Sequence, residues 1–136
     1  MIKKTVTYID YNGVEKTEDF RFNLTEAELI EMELEVGGGL TEQMKAIVAA
    51  KDVPEIIRVF KRLILRAYGE MSPDGKYFMK VDKEGNPLSL MFSQTEAYSK
   101  IFMELATNDE KAAEFVNGIV PKHISEEARK QLSGNA

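Results

Sequence analysis

The chain has 136 residues, a net charge of −5 and no cysteine. Its length suits one domain with its own hydrophobic core, and the missing thiols exclude disulfides and thiolate metal sites. The negative charge argues against nucleic acid as a partner, because phosphate binding needs a positive surface. No apolar run approaches the ~20 residues that a membrane span requires. We therefore expect a protein of the cytoplasm that binds neither nucleic acid nor membrane.

Residues 4–22 predict a β-hairpin. Alternating residues lead to Asn12-Gly13, a dipeptide that tolerates the positive φ of a tight type I′ turn. Phe20 and Phe22 fall on one face of the return strand. A two-stranded hairpin is marginal alone, so we expect it to pack on the helices that follow.

The first two predicted helices flank a run of glycines. Thr25 and Glu28 have the spacing of a capping box, which begins the first helix. Gly37-Gly38-Gly39 ends this helix, and three glycines in a row suggest a flexible joint. The second helix is predicted to begin at Thr41.

The third predicted helix has the clearest boundaries. Asp52 and Glu55 form another N-terminal box, Pro54 lies in the first turn, and Gly69 follows the last turn as a helix stop. Its apolar residues cover about half of the helix circumference. They are Ile56, Ile57, Val59, Phe60, Leu63, Ile64, Ala67 and Tyr68.

Residues 70–91 contain turn signals on both sides of the segment 77–81, which is either one short strand or an extended loop. Ser93 and Glu96 then predict the start of a fourth helix. The fifth is capped by Asn108 or Thr107 and ends at Pro121. The predicted core residues of these two helices are Ala97, Tyr98, Ile101, Phe102, Leu105, Ala112, Phe115, Val116 and Ile119.

No pattern in the chain predicts catalysis, a cofactor or a metal site. The single histidine, His123, lies in the predicted tail, where a solvated role is favoured over that of a base or ligand. The turns that contain Asp10 and Asp82 only faintly resemble calcium loops and lack the 12-residue spacing of such a site. We therefore predict that the protein is not an enzyme.

One group of residues on the third helix predicts a protein-binding surface. Arg58, Lys61, Arg62 and Arg66 lie within about 140° of arc, and Leu65 falls in their midst. An apolar residue within a basic arc suits an acidic partner helix. Two structural interpretations stay open, namely that these charges complement the helix dipole or that they pair with the glutamate-rich first helix.

Three segments resemble the tail assembly chaperones of long-tailed bacteriophages and prophages of Gram-positive bacteria. They are the hairpin with residues 22–29, the run 55–70 and the block 92–122. The resemblance implies a protein that binds the tape measure protein and tail tube subunits during assembly and is absent from the finished virion. It supplies no active-site residues to transfer to this chain.

The expected fold is α+β but mainly α, with an N-terminal hairpin (4–22) packed on a bundle of about five short helices (25–121). Residues 1–122 are predicted to form one domain, followed by a flexible tail at 123–136. The predicted function is that of a phage tail assembly chaperone without a cofactor. The alternative is a small phage-encoded regulator or inhibitor that binds a host protein. We also expect self-association, because broad apolar faces on short helices are hard to bury within one small chain.

Overall fold

A computed structural model describes residues 1–36 and 53–121, with the side chains of 33–36 and 53 excluded. The predictions for the triple glycine, the second helix, Asp52, His123 and the tail fall outside these residues, and the single-domain division stays a prediction. The elements in chain order are β1 (Ile2–Ile9), β2 (Glu15–Phe22), α1 (Glu26–Val36), α2 (Val53–Ala67), β3 (Tyr68–Met71), β4 (Phe78–Met79), α3 (Leu88–Phe92), α4 (Glu96–Thr107) and α5 (Asp109–Ile119).

The four strands form one antiparallel sheet in the order β1-β2-β3-β4. The predicted fold class, mainly α with a hairpin alone, is therefore wrong, because the hairpin is half of a larger sheet. β3 joins it by pairing Tyr68 with Phe22 and Gly69 with Arg21. The apolar arc of the third predicted helix continues to Tyr68. The sequence pattern therefore did not indicate that the helix ends at Ala67 and that a strand follows.

Gly69 is a strand residue and not the helix stop that the sequence suggested. A Cβ atom at this position would lie 2.6 Å from Cε2 of Phe78 and 2.8 Å from the carbonyl oxygen of Met79. Both distances are shorter than van der Waals contact allows, and the second is to the backbone of the neighbouring strand. Glycine is therefore needed here so that β4 can approach β3.

We expect Gly69→Ala to lower the free energy of unfolding by about 1–3 kcal/mol, because the methyl group would push β4 away from β3. Urea denaturation with a constant m-value would measure the loss. Gly118→Ala is the comparison, since the three atoms nearest to its Cβ all belong to the side chain of Ile2 and lie farther away, at 3.1 to 3.5 Å, and alanine favours the helix by about 1 kcal/mol. Equal midpoints for wild type and Gly69→Ala would contradict this explanation.

The core lies between one face of the sheet and the helices. Phe22 is fully buried, and its ring lies 5.3 Å from that of Phe115, 5.9 Å from that of Phe92 and 6.0 Å from that of Tyr68, measured between centroids. Phe92 also stacks on Tyr68 at 4.1 Å. The predicted core faces of the last two helices are confirmed for the buried residues Ala97, Ile101, Leu105, Ala112, Phe115 and Ile119.

Within the described residues, side chains cap three helices, and two of these caps were predicted. The Thr25–Glu28 box forms, since the backbone N–H of Glu28 donates to Oγ1 of Thr25 and Oε1 of Glu28 accepts from the N–H of Thr25. Asn108 caps α5 by accepting from the N–H of Lys111. The start of α4 differs from the prediction, because Thr95 is its cap and Ser93 ends the short helix α3.

The β1–β2 turn lies where the sequence placed it but has a different geometry. Gly13 donates its N–H to the carbonyl of Asp10 at 3.0 Å, and Asp10 donates to the carbonyl of Val14 at 2.9 Å. Gly13 has a φ of 80°. This is a three-residue loop with a left-handed glycine at its end, rather than a two-residue type I′ turn.

Candidate protein-binding surface

The exposed side of α2 carries most of the predicted basic surface. Its opposite side is buried in the core through Val59, Phe60, Leu63, Ile64 and Ala67. Contacts with β2 and α4 fix this orientation. Three of the five predicted residues, Arg58, Lys61 and Arg62, are consequently exposed to solvent.

The structure changes the apolar part of this surface. Leu65, the predicted centre, is half-buried and packs against the core, and Arg66 is also half-buried. Ile57, which the sequence placed in the core, is 41% exposed. Residues four apart are neighbours on a helix face, so Ile57, Lys61 and Leu65 form one row. We call Ile57, Arg58, Lys61, Arg62 and Leu65 the α2 surface.

The sequence offered no signal that would have identified Ile57. It continues the apolar arc of the helix, and the period alone does not say which edge of a wide arc the neighbouring elements cover. That decision depends on where β2 and α4 lie against α2.

One of the three exposed charges of the α2 surface has an ion-pair partner among the described residues. Arg58 forms an ion pair with Glu55 on its own helix. Among the residues whose side chains the structure describes, no carboxylate lies within 4.0 Å of Lys61 or Arg62. These two positions therefore give no support to the interpretation that glutamates of the first helix pair with the α2 surface. Glu28 of α1 instead forms an ion pair with Lys80 at 3.2 Å.

Lys80 anchors the C-terminal end of α2. Its ammonium group donates to the carbonyl of Arg66 at 2.6 Å and to that of Asn23 at 2.9 Å, in addition to its ion pair with Glu28. Burial lowers the pKa of Lys80, and the charge of Glu28 opposes that shift. The contact joins β4 to α2, to α1 and to the end of β2. Sequence reasoning missed it because its partners are far away along the chain.

The two turns that faintly resemble calcium loops are closed by hydrogen bonds to their own backbone. Oδ1 of Asp10 accepts from the N–H groups of Asn12 and Val14, and Oδ1 of Asp82 accepts from those of Glu84 and Asn86, each at 2.9 Å. These backbone bonds lower the pKa of both aspartates. Their carboxylates therefore stabilise turns.

Within residues 1–36 and 53–121, no three histidine, cysteine or acidic side chains cluster as metal ligands would. No described helix has both the length and the apolar character needed to cross a lipid bilayer. The described part of the chain has an α+β fold, with a basic, solvent-exposed face on α2.

A family model described as phage tail assembly chaperone matches residues 1–135. The chain belongs to this family, which confirms the resemblance found in the sequence. No curated protein and no solved structure matches the chain. The family indicates a role in tail assembly with protein partners and suggests a function other than catalysis.

Proposed function

We propose that this protein binds the tape measure protein through the α2 surface and chaperones it in the bacterial cytoplasm during tail assembly. Membership of the chaperone family supports the general role. The observation that carries the finer proposal is the exposed face of α2, where Lys61 and Arg62 lie on the same side of the helix as Ile57 and have no carboxylate within 4.0 Å among the described side chains. In this role the protein also contacts tail tube subunits and leaves before the virion is complete.

The α2 surface suits an amphipathic helix with an acidic margin. Ile57 and Leu65 would contact the apolar stripe of the client, and Lys61 and Arg62 would pair with carboxylates at its edge. Long apolar stripes aggregate when they stay exposed. A bound protein of net charge −5 would cover the stripe and add electrostatic repulsion between complexes.

Several copies on one client would make modest individual affinities sufficient, because linked binding events reinforce one another. We therefore extend the proposal to self-association along the client. Light scattering at high protein concentration tests this extension, and a strictly monomeric protein would count against it.

The charge-reversal variant Lys61→Glu/Arg62→Glu tests the proposed site. Co-expressed with the tape measure protein of the same genome, wild type should keep that protein soluble and copurify with it. The variant should bind the client at least tenfold more weakly, which corresponds to about 1.4 kcal/mol of binding free energy, and should therefore copurify with much less of it. Quantitative gel densitometry of the purified complex provides the measurement.

Lys3→Glu/Lys83→Glu is the matched control, because both lysines are exposed and lie outside α2, and the change in net charge is the same. Equal loss of client in both double variants would show that total charge, and not the α2 surface, governs binding. Failure of the wild-type protein to copurify with the tape measure protein would refute the proposed client. Recovery of a host protein instead would favour the alternative function as a regulator or inhibitor.

A further inference from the structure

The described helices leave part of their own side of the sheet exposed. On β2, Phe22 is buried but Glu18, on the same face, is exposed. On β3, Tyr68 is buried and Glu70 is exposed. Met79 of β4 pairs with Glu70 and is 37% exposed, and directly opposed residues of antiparallel strands point to the same face. We call Glu18, Glu70 and Met79 the open sheet face.

Two tyrosines contact the carboxylates of this face. The hydroxyl of Tyr8 donates to Glu18, and the hydroxyl of Tyr68 makes a long contact of 3.4 Å with Glu70. The pKa of Tyr8 is raised to about 12, mainly by its bond to Glu18, and that of Tyr68 to about 12, mainly by burial. Both phenols therefore remain donors at neutral pH and orient two carboxylates.

The absence of a basic partner is a feature of the described structure. Within residues 1–36 and 53–121, no described lysine or arginine side chain lies within 4.0 Å of Glu18 or Glu70. The ion pairs that do form in this part of the chain lie elsewhere. Lys16 lies two residues from Glu18 on the same face of β2, but its ammonium group pairs with Asp10 at 3.1 Å. Among the described residues, Glu18 and Glu70 thus have no cation within ion-pair distance.

Large apolar side chains are exposed on the helix that packs on β3. The short helix α3 packs on β3, with Phe92 stacked on Tyr68. The two residues before Phe92 point away from the core, since Leu90 is 56% exposed and Met91 is 71% exposed. Methionine side chains adapt readily to different partner surfaces, and exposed apolar groups with a polar rim are typical of protein-binding sites.

We propose that the open sheet face, together with Leu90 and Met91, is a second docking surface for a segment that presents lysine or arginine beside large apolar side chains. Charge complementarity selects this partner. An acidic segment would be repelled by Glu18 and Glu70, and a wholly apolar one would bury both carboxylates without a cation, which is unfavourable. The α2 surface has the opposite charge and would bind a different kind of segment. This proposal can therefore be tested independently of the proposed tape measure contact.

A fluorescein-labelled synthetic peptide with leucine and lysine at helical spacing is a suitable probe for anisotropy titration at physiological salt. We expect Glu18→Gln/Glu70→Gln to weaken binding about tenfold relative to wild type. Glutamine still accepts a hydrogen bond from each tyrosine, so the fold should persist. The control Glu15→Gln/Glu110→Gln removes the same charge from exposed positions elsewhere. Equal affinities for the two double variants would overturn the proposal.

Amide NMR mapping of the wild-type protein locates the contact directly. Chemical-shift changes on addition of the lysine peptide should centre on β2, β3, β4 and α3. Changes centred on α2 would overturn the assignment to the open sheet face. A peptide with glutamate in place of lysine should bind at least tenfold more weakly, and equal binding of the two peptides would refute the argument from charge.

Discussion

Phe22→Ala is expected to lower the free energy of unfolding by about 3–5 kcal/mol. The ring is fully buried and touches the rings of Tyr68 on β3, Phe92 on α3 and Phe115 on α5. Its strand position also pairs with Ile2 of β1. Removing it would leave a cavity where the sheet meets two helices, and the surrounding aromatic rings are too rigid to fill it. Urea denaturation followed by circular dichroism measures the loss.

The expected loss is a large part of the 5–15 kcal/mol that typically separates folded from unfolded domains. Phe22→Leu is a milder substitution that should still fold, and it should lower the free energy of unfolding by about 1–1.5 kcal/mol. Tyr77→Ala is the exposed aromatic control, since Tyr77 is 57% exposed, and its effect should stay within about 0.5 kcal/mol. Equal effects for Phe22→Leu and Tyr77→Ala would contradict the central position assigned to Phe22.

Lys80→Met should lower the free energy of unfolding by about 2–3 kcal/mol. The substitution keeps most of the length of the side chain but removes the ammonium group from the carbonyls of Asn23 and Arg66 and from the carboxylate of Glu28. Partly buried acceptors that lose their donor are penalised by about 1–3 kcal/mol. The shift in urea midpoint at unchanged m-value reports this loss.

Lys83→Met serves as the control because Lys83 is an exposed lysine in the turn that follows Lys80, and its effect should stay within about 0.5 kcal/mol. If Lys80→Met were as stable as this control, the three contacts of Lys80 would not contribute to stability. Hydrogen exchange adds a local measurement, since loss of the anchor should speed exchange at the C-terminal end of α2 and in β4.

Short-range signals predicted the local elements well. The capping box at Thr25 and Glu28 forms as its spacing indicates, as does the Asn108 cap. The alternation of β2 correctly placed Phe20 and Phe22 on one buried face. These features depend on residues within a few positions of one another, so the sequence contains the information directly.

The start of α4 and the β1–β2 turn show where local signals compete. Ser93 and Thr95 both have side chains that cap helices, and Thr95 is the cap because α3 extends to Phe92. In the turn, the side chain of Asp10 binds the backbone of Asn12 and Val14, which favours a three-residue loop. In each case the sequence is compatible with two local structures, and a neighbouring helix or side chain determines which of them forms.

The sequence by itself determined the family, the helix caps, the core faces of α4 and α5 and the basic character of α2. Tertiary structure alone decided that Tyr68 and Gly69 belong to a strand, that Ile57 is exposed and that Lys80 anchors α2. Each of these depends on contacts between residues distant along the chain, because β3 forms only where β2 offers backbone partners and Gly69 is needed only where Phe78 crosses it. Periodicity describes one element at a time, whereas the exposure of a surface is set by the elements packed around it.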